Sequence, residues 1–345
     1  MLIPPSGTGE DWNEMSNDDP RGHGPAASPG PAPQGAAVPH GAGASPGAAP
    51  GLAPHPARLS VGVVGAGRVG SVLAAALGRA GHRIVAVSAV SEGSVRRIRR
   101  NLPGVPVLAP DQVLARADLV LLTVPDDVLP ALVAGLASAG APLRGRLLAH
   151  ASGRHGLAVL EPAVRRGALP LALHPVMTFT GRPDDIDKLA GICFGVTAPE
   201  PLQPAAEALV VEMGGEPVLI AEELRDLYHA ALASSANYLV TLVVQAADLL
   251  RQAGVASPGR MLGPLLSAAL DNAIRLGDAA LTGPVARGDA DTVASHIQAL
   301  RTASPEAVAA YVALARLTAD RALAAGSLAA ADAQRLLDVL AGAPQ

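Results

Sequence analysis

The chain has 345 residues, enough for about two domains that each bury a core. Half of the residues are hydrophobic, the formal charge is −4, and Cys193 is the single cysteine. That composition excludes a disulfide framework and a cysteine-held zinc, and it offers no basic excess for a nucleic-acid partner.

Residues 1–57 are rich in glycine, proline and alanine and show no hydrophobic periodicity. They are expected to be a disordered tail. The opening residues lack the basic start and apolar run of a signal peptide, so the expected compartment is the cytoplasm.

From Leu59 onward, short apolar runs alternate with helical stretches. LSVGVV predicts a strand, and RVGSVLAAALGRAG a helix stopped by Gly81. HRIVAVSAV, PVL, ADLVLLTVP, RLLAHASG and ALPLALHP predict further strands. LPALVAGLASAG and GLAVLEPAVRRG predict helices between them. ICFGVTA, a helix near Leu202–Met213 and PVLI extend the series, and Cys193 reads as a buried strand residue. Fully apolar strands alternating with helices predict an α/β fold: a doubly wound, parallel Rossmann sheet covered on both faces, over residues 58–220.

After Ile220 the strand signals stop, and residues 221–345 predict an all-helical domain for substrate binding and dimerisation. One long helix runs from Glu222 to Ala253, with others near Pro258–Leu276, Asp289–Leu300, Pro305–Ala325 and Ala329–Leu340. Leu227–Ala247 carries no Asp, Glu, Lys or Arg and is long enough to span a bilayer. His229, Ser234, Ser235, Asn237 and Thr241 would be costly in hydrocarbon, so the segment reads as a buried helix and no membrane partner is expected.

GAGRVG at Gly65–Gly70 sits between a predicted strand and a predicted helix, the context a dinucleotide-binding turn requires. Gly65 permits the turn, Gly67 admits the pyrophosphate, and Gly70 lets helix and strand close up. The turn residues Ala66, Arg68 and Val69 complete this site, with helix N–H groups left for phosphate. At the end of the second strand Ser88 and Ser91 stand where an acidic residue favours NAD, and Arg96 and Arg97 follow. Hydroxyls and guanidinium groups suit a 2′-phosphate, so NADP is expected over NAD, with Glu92 keeping NAD open.

Loops after the later strands should line the ligand crevice: Val124, Pro125 and Asp126 toward the cofactor, and His174 toward a substrate. His150 and Ser152, in HASG, are weaker candidates that turn chemistry also explains. On the long helix His229 and Asn237 are eight residues apart, about 80° around the axis, and can share a face. Arg287, in LTGPVARGD, could hold a carboxylate in two-point fashion, whereas Asp289 reads as a helix cap. Together His174, His229, Asn237 and Arg287 form the expected catalytic set, and no metal site is read.

The segments GAGRVG, TVPDD, HASG, LALHPVMTF, YHAALASSANYLVTL and LTGPVARGD resemble actinobacterial-type proteins that pair a Rossmann-like domain with a C-terminal domain of unknown function. The resemblance covers about residues 58–340 in order. It implies a branch of the β-hydroxyacid and 6-phosphogluconate dehydrogenase superfamily, a homodimer through the helical domain, and NADP-linked reduction with ketopantoate as one substrate. The HPVM segment is similar to prephenate dehydrogenases, in which the His-Pro histidine contacts substrate; this implies such a role for His174. Ketopantoate reductases carry a Lys four residues before an Asn on the long helix. Here Asn237 matches, but Ala233 stands at the lysine position, and Lys188 is the only lysine. The expected function is an NADP-dependent oxidoreductase acting on a small carboxylate, a 2-oxo or 2-hydroxy acid. A non-catalytic dinucleotide-binding sensor is the alternative from another class.

Overall fold

The computed structural model describes residues 58–342, so the expected tail lies outside the described residues. By its internal packing the described chain divides into two compact units, residues 58–238 and 239–342. The division falls inside the long helix.

In the first unit the strands are β1 (Ser60–Val64), β2 (Arg83–Ser88), β3 (Leu119–Leu122), β4 (Leu147–His150), β5 (Leu169–Pro175), β6 (Cys193–Thr197) and β7 (Glu216–Leu219). They form one sheet in the order β2-β1-β3-β4-β5-β6-β7. The intervening helices are α1 (Arg68–Arg79), α2 (Glu92–Asn101), α3 (Pro110–Arg116), α4 (Leu129–Ser138), α5 (Glu161–Val164), α6 (Asp184–Asp187) and α7 (Gln203–Glu212). Alternation along β1 explains the two-sided core: Val61 and Val63 pack with α1, α2 and α7, while Val64 packs with α3 and α4 on the other face. This is the Rossmann-like α/β sheet expected from the apolar runs.

Four local features differ from the sequence reading. β6 runs antiparallel to β5, because only the four-residue α6 lies between them and no full crossover helix carries the chain back for a parallel strand. PVL makes a single bridge, Val87 with Val107, since Pro106 and its neighbours leave too short an extended run for a strand. GLAVLEPAVRRG forms a 3₁₀ turn and the short α5, with Pro162 and Gly167 closing it at either end. Cys193 is exposed: it opens β6 one residue beyond the last pair with β5, past the covered part of the sheet.

The long helix α8 (Arg225–Gln252) supplies residues to both units. In the second unit, α9 (Pro258–Leu276), α10 (Ala290–Ala303), α11 (Pro305–Ala324) and α12 (Ala330–Ala341) follow. Val293, Ile297, Val312, Ala319, Leu336 and Leu340 form the core of α10–α12. Asp289 caps α10 by accepting the Thr292 N–H, as its position predicts. The expected burial of Leu227–Ala247 does not occur: Ala247 is the only buried residue there, and Tyr238, Val240 and Val244 are exposed. The physical reason is that the core around α10–α12 draws no side chain from this segment.

The sheet and α1 meet most tightly at Gly70. A Cβ there would overlap Thr123 Oγ1 and come within 2.9 Å of Val63 Cγ1. Gly70→Ala is therefore expected to lower stability by about 1–3 kcal/mol, as overpacked cores do. Urea unfolding of the two proteins checks this, and an unchanged midpoint would contradict the tight packing.

Candidate functional site

β1 lies between β2 and β3, so the crevice beyond their carboxyl ends is the switch point where open α/β sheets bind ligands. Gly65 occupies it with φ +87°, and Val124 packs so closely that a Cβ on Gly65 would lie 2.6 Å from Val124 Cγ1. The N–H groups of Gly65 and Ala66 both donate to the Ser88 carbonyl, and Thr123 Oγ1 donates to the Gly65 carbonyl. These bonds pin the turn to β2 and β3. Beside Gly67 there is room, the nearest atom to a Cβ being 3.7 Å away. Helix α1 starts at Arg68, so the N–H groups of Arg68, Val69 and Gly70 have no carbonyl one turn back. Open space facing helix N–H groups suits a pyrophosphate.

At the end of β2 the Ser91 hydroxyl caps α2 by accepting the Ser94 N–H, while Ser88 is buried. Arg97 Nη1 and Arg96 Nη2 both lie within 4 Å of a Cβ built on Gly93, so two guanidinium groups converge on the start of α2. Among the described residues Arg96 has only an exposed pair with Glu92 at 3.4 Å, which holds it weakly. Arg97 donates to Ser94 Oγ, and its Nε is buried without a partner among the described residues. An unused donor in a doubly cationic corner fits a phosphate-bearing ligand. Pro125 and Asp126 turn the chain after β3, with the Pro125 carbonyl accepting from Val128 and Leu129, and the Asp126 carbonyl facing His155 Nε2 at 3.0 Å.

A cleft of about 610 Å³ adjoins this turn. Arg68 and Val69 from the glycine turn, His174 from β5, Met177 from the following loop, and His229 and Asn237 from α8 line it, together with small α8 side chains such as Ala233. Asp185 holds the loop after β5 in place by accepting the N–H groups of Thr180 and Gly181 and the Thr180 hydroxyl. Burial pushes the Asp185 carboxyl up, but those bonds outweigh it and leave it below the usual range.

His174 sits where β5 ends, its Nδ1 2.8 Å from the Tyr228 hydroxyl. Its ring stands edge-on to His229 at 6.4 Å between centroids. Burial, then the nearby Arg225 and His229, push His174 down to about 4, so it is neutral at physiological pH. Gly153 makes room for both rings, since a Cβ there would come within 2.8 Å of His229 Cδ2 and 2.9 Å of His174 Nε2. The structure thus brings His174, His229 and Asn237 together. Arg287 belongs to the second unit, where it is exposed and donates to the Thr282 carbonyl.

Two residues that sequence reasoning passed over shape the site. Arg225 and Tyr228 precede His229 on α8, and both bear on β5 and β6. An arginine opening a long apolar helix was the available signal for Arg225. His150, weighed as a candidate, is structural: it is 1% exposed, its Nε2 donates to the Gly156 carbonyl, and its Nδ1 accepts the Ser152 N–H.

These features define a dinucleotide-binding Rossmann architecture. Residues 45–175 match the model of the Rossmann-like domain, and residues 192–318 match that of the domain of unknown function DUF2520. The chain is a Rossmann-like protein with a C-terminal DUF2520 domain. Its fold resembles a Bacteroides fragilis protein described as an NADP oxidoreductase, at 23% identity and TM-score 0.64 over 76% of this chain and 98% of the other. It also resembles a Streptomyces aurantiacus imine reductase, 19% identical, TM-score 0.56, over 81% and 99%. A 1-pyrroline-5-carboxylate reductase of Streptococcus pyogenes is 17% identical, TM-score 0.52, over 77% and 98%. At these identities the likeness is one of fold. No curated protein matches the sequence.

Burial likewise pushes His150 down to about 4, against the bond to Gly156 that favours its charged form. Since the native pKa lies below the unfolded one, the unfolded state binds the proton first as pH falls from 7 toward 4. Native stability should drop through that window by about 3 kcal/mol from His150 alone. Urea unfolding at pH 7 and pH 4.5 should show a smaller drop in His150→Gln; equal drops would refute the assignment.

Proposed function

We propose that this chain is an NADP-dependent oxidoreductase that moves hydride to or from the carbonyl or hydroxyl carbon of a small carboxylate, a 2-oxo or 2-hydroxy acid such as ketopantoate. The observation that carries the reading is the shared cleft, in which the glycine-turn residues Arg68 and Val69 and the polar groups His174, His229 and Asn237 line one space. Bound NADPH would supply the hydride, and the protein supplies position and charge. Gly65–Gly70 and the start of α1 would hold the pyrophosphate. Ser88, Ser91, Arg96 and Arg97 would hold the 2′-phosphate, and Val124, Pro125 and Asp126 would border the nicotinamide.

His174 would donate a hydrogen bond to the substrate oxygen, with His229 beside it and Asn237 orienting the carbonyl. The claim of Arg287 on a substrate carboxylate rests on its chemistry, a guanidinium fork suited to two-point pairing. A second reading, reduction of a C=N bond, is favoured by Ala233, which leaves the cleft without a lysine. An iminium substrate brings its own proton and needs no acid at that place. The folds of an imine reductase and a pyrroline-5-carboxylate reductase accord with it.

A second copy of the chain is the proposed cover for the exposed apolar side chains of α8 and α9, among them Val240, Val244, Met261, Leu265 and Ile274. Residues 222–252 are also long and apolar enough to cross a membrane, with 6% of the apolar window buried. The polar side chains His229, Ser234, Ser235, Asn237 and Thr241 within that stretch favour the protein cover and a cytoplasmic, soluble chain. Light scattering of the detergent-free protein should give twice the chain mass, and a monomer would overturn the dimer.

Fluorescence titration should show NADPH binding more tightly than NADH, with Arg96→Ala plus Arg97→Ala losing at least tenfold for NADPH and little for NADH. Equal losses would remove the case for NADP. His174→Ala should keep NADPH binding while losing turnover of ketopantoate or a related 2-oxo acid by about a hundredfold or more. Tight NADPH binding without turnover of any oxo acid or cyclic imine would favour the sensor.

A further inference from the structure

Arg225 is 2% exposed, yet no carboxylate of the described residues forms an ion pair with it. Its Nε donates to Thr197 Oγ1 at 2.8 Å, and Nη1 to the Ser152 carbonyl at 3.4 Å. Nη2 donates to the carbonyls of Gly195 at 3.1 Å and Ala172 at 3.3 Å. All of these acceptors are neutral. The exposed Glu222 carboxylate acts on Arg225 from beyond ion-pair distance. A cation held out of water without a paired counter-charge is costly, and the cost falls wherever a negative charge forms nearer to it. The group placed to develop one is Tyr228: the Arg225 guanidinium lies 5.8 Å from the centre of its ring. The Tyr228 oxygen lies against Gly195 on one side and His174 Nδ1, 2.8 Å away, on the other. Nδ1 is the hydrogen-bond acceptor that the described residues offer the phenol, so the phenol proton points to Nδ1. The neutral imidazole then carries its own proton on Nε2, beside Gly153.

We propose that Tyr228 is the proton source for the reaction, handing its proton through His174 to the substrate oxygen, with Arg225 balancing the phenolate that remains. The proposal rests on the oxidoreductase reading above and supplies what the missing lysine would otherwise provide. Lys188, the only lysine, follows the end of α6 and is paired with Asp184 at 2.9 Å.

In the reducing direction, a hydride with its electron pair passes from the reduced nicotinamide dinucleotide to the carbonyl carbon. The C=O π pair withdraws onto oxygen, which takes the Nε2 proton of His174. Nδ1 takes the hydroxyl proton of Tyr228, and the starting tautomer returns when Nδ1 gives that proton back to the phenolate as Nε2 takes one from water. The sum is carbonyl, reduced dinucleotide and one solvent proton becoming alcohol and oxidised dinucleotide. Burial raises the Tyr228 phenol above its usual range, against the pull of Arg225, so the proton stays in place at neutral pH. An alkoxide is a stronger base than any such phenolate and still draws the proton across. The other titratable groups facing the pair are His229 on α8, His150 on β4, Asp126 after β3 and Cys193 on β6.

Histidine ¹⁵N spectra of the full-length protein without ligand test the arrangement independently of turnover. His174 is expected as the neutral Nε2–H tautomer from pH 8 to 5. Tyr228→Phe should release it to a tautomer mixture. An Nδ1–H tautomer in the wild type, or a tautomer unmoved by Tyr228→Phe, overturns the proposal.

With ketopantoate and NADPH, Tyr228→Phe should lower kcat about tenfold to a hundredfold while KM stays within about twofold. An unchanged kcat overturns the relay even if NADPH still binds. Where the phenylalanine variant melts early, 3-fluorotyrosine at position 228 keeps the fold and makes the phenol more acidic. It should move the alkaline limb of the kcat profile to lower pH, and an unmoved limb sinks the relay. Failure of the wild type to bind NADPH sinks the oxidoreductase reading instead, leaving the tautomer result to stand by itself.

Discussion

The site depends on one buried guanidinium. Arg225 is the residue through which the first turns of α8 are fastened to the loop after β4, to β5 and to β6. Backbone carbonyls alone cannot neutralise its charge, but they hold it in one place, and Tyr228 and His229 follow from it along the helix. Because α8 is one unbroken helix, the same fastening sets where Ala233 and Asn237 stand in the cleft. Removing the guanidinium would free four acceptors and unseat the helix, so its positional role and its electrostatic role are inseparable.

Around that cation the histidines are kept neutral. His150 and His174 are both pushed down to about 4, with burial the main cause and the Arg225 charge adding to it. The two have different fates. His150 spends both ring nitrogens on backbone groups and shapes the turn through Ser152 and Gly156. His174 spends one nitrogen on Tyr228 and lines the cleft with the rest of its ring. A neutral imidazole with one committed nitrogen is a hydrogen-bond donor of fixed direction, which suits an electron-rich substrate atom better than a mobile imidazolium would.

The exposed apolar length of α8 and α9 shows a different economy. The second unit makes a small core from α10, α11 and α12, largely of alanine, valine and leucine. α11 itself leaves Leu314 and Leu317 exposed, so this core does not take up every apolar face of the unit. Hydrophobic periodicity marks a helix face as apolar, but it does not say which molecule covers it.

The sequence alone determined the order of elements, the glycine turn and its neighbours, and the long helix, because these are local: a period of 3.6 or a continuous apolar run is written in consecutive residues. Asp289 as a cap and the α1 boundaries were legible for the same reason. Tertiary structure alone decided the antiparallel entry of β6, the exposure of Cys193 and the burial of Arg225, since each depends on which strands and loops meet across seventeen residues or more. It also decided that His174, Tyr228 and Gly153 converge, although 75 residues of sequence separate Gly153 from Tyr228. Local propensity reads a residue's own backbone, whereas the charge state and partners of a buried side chain are set by groups that only folding brings near.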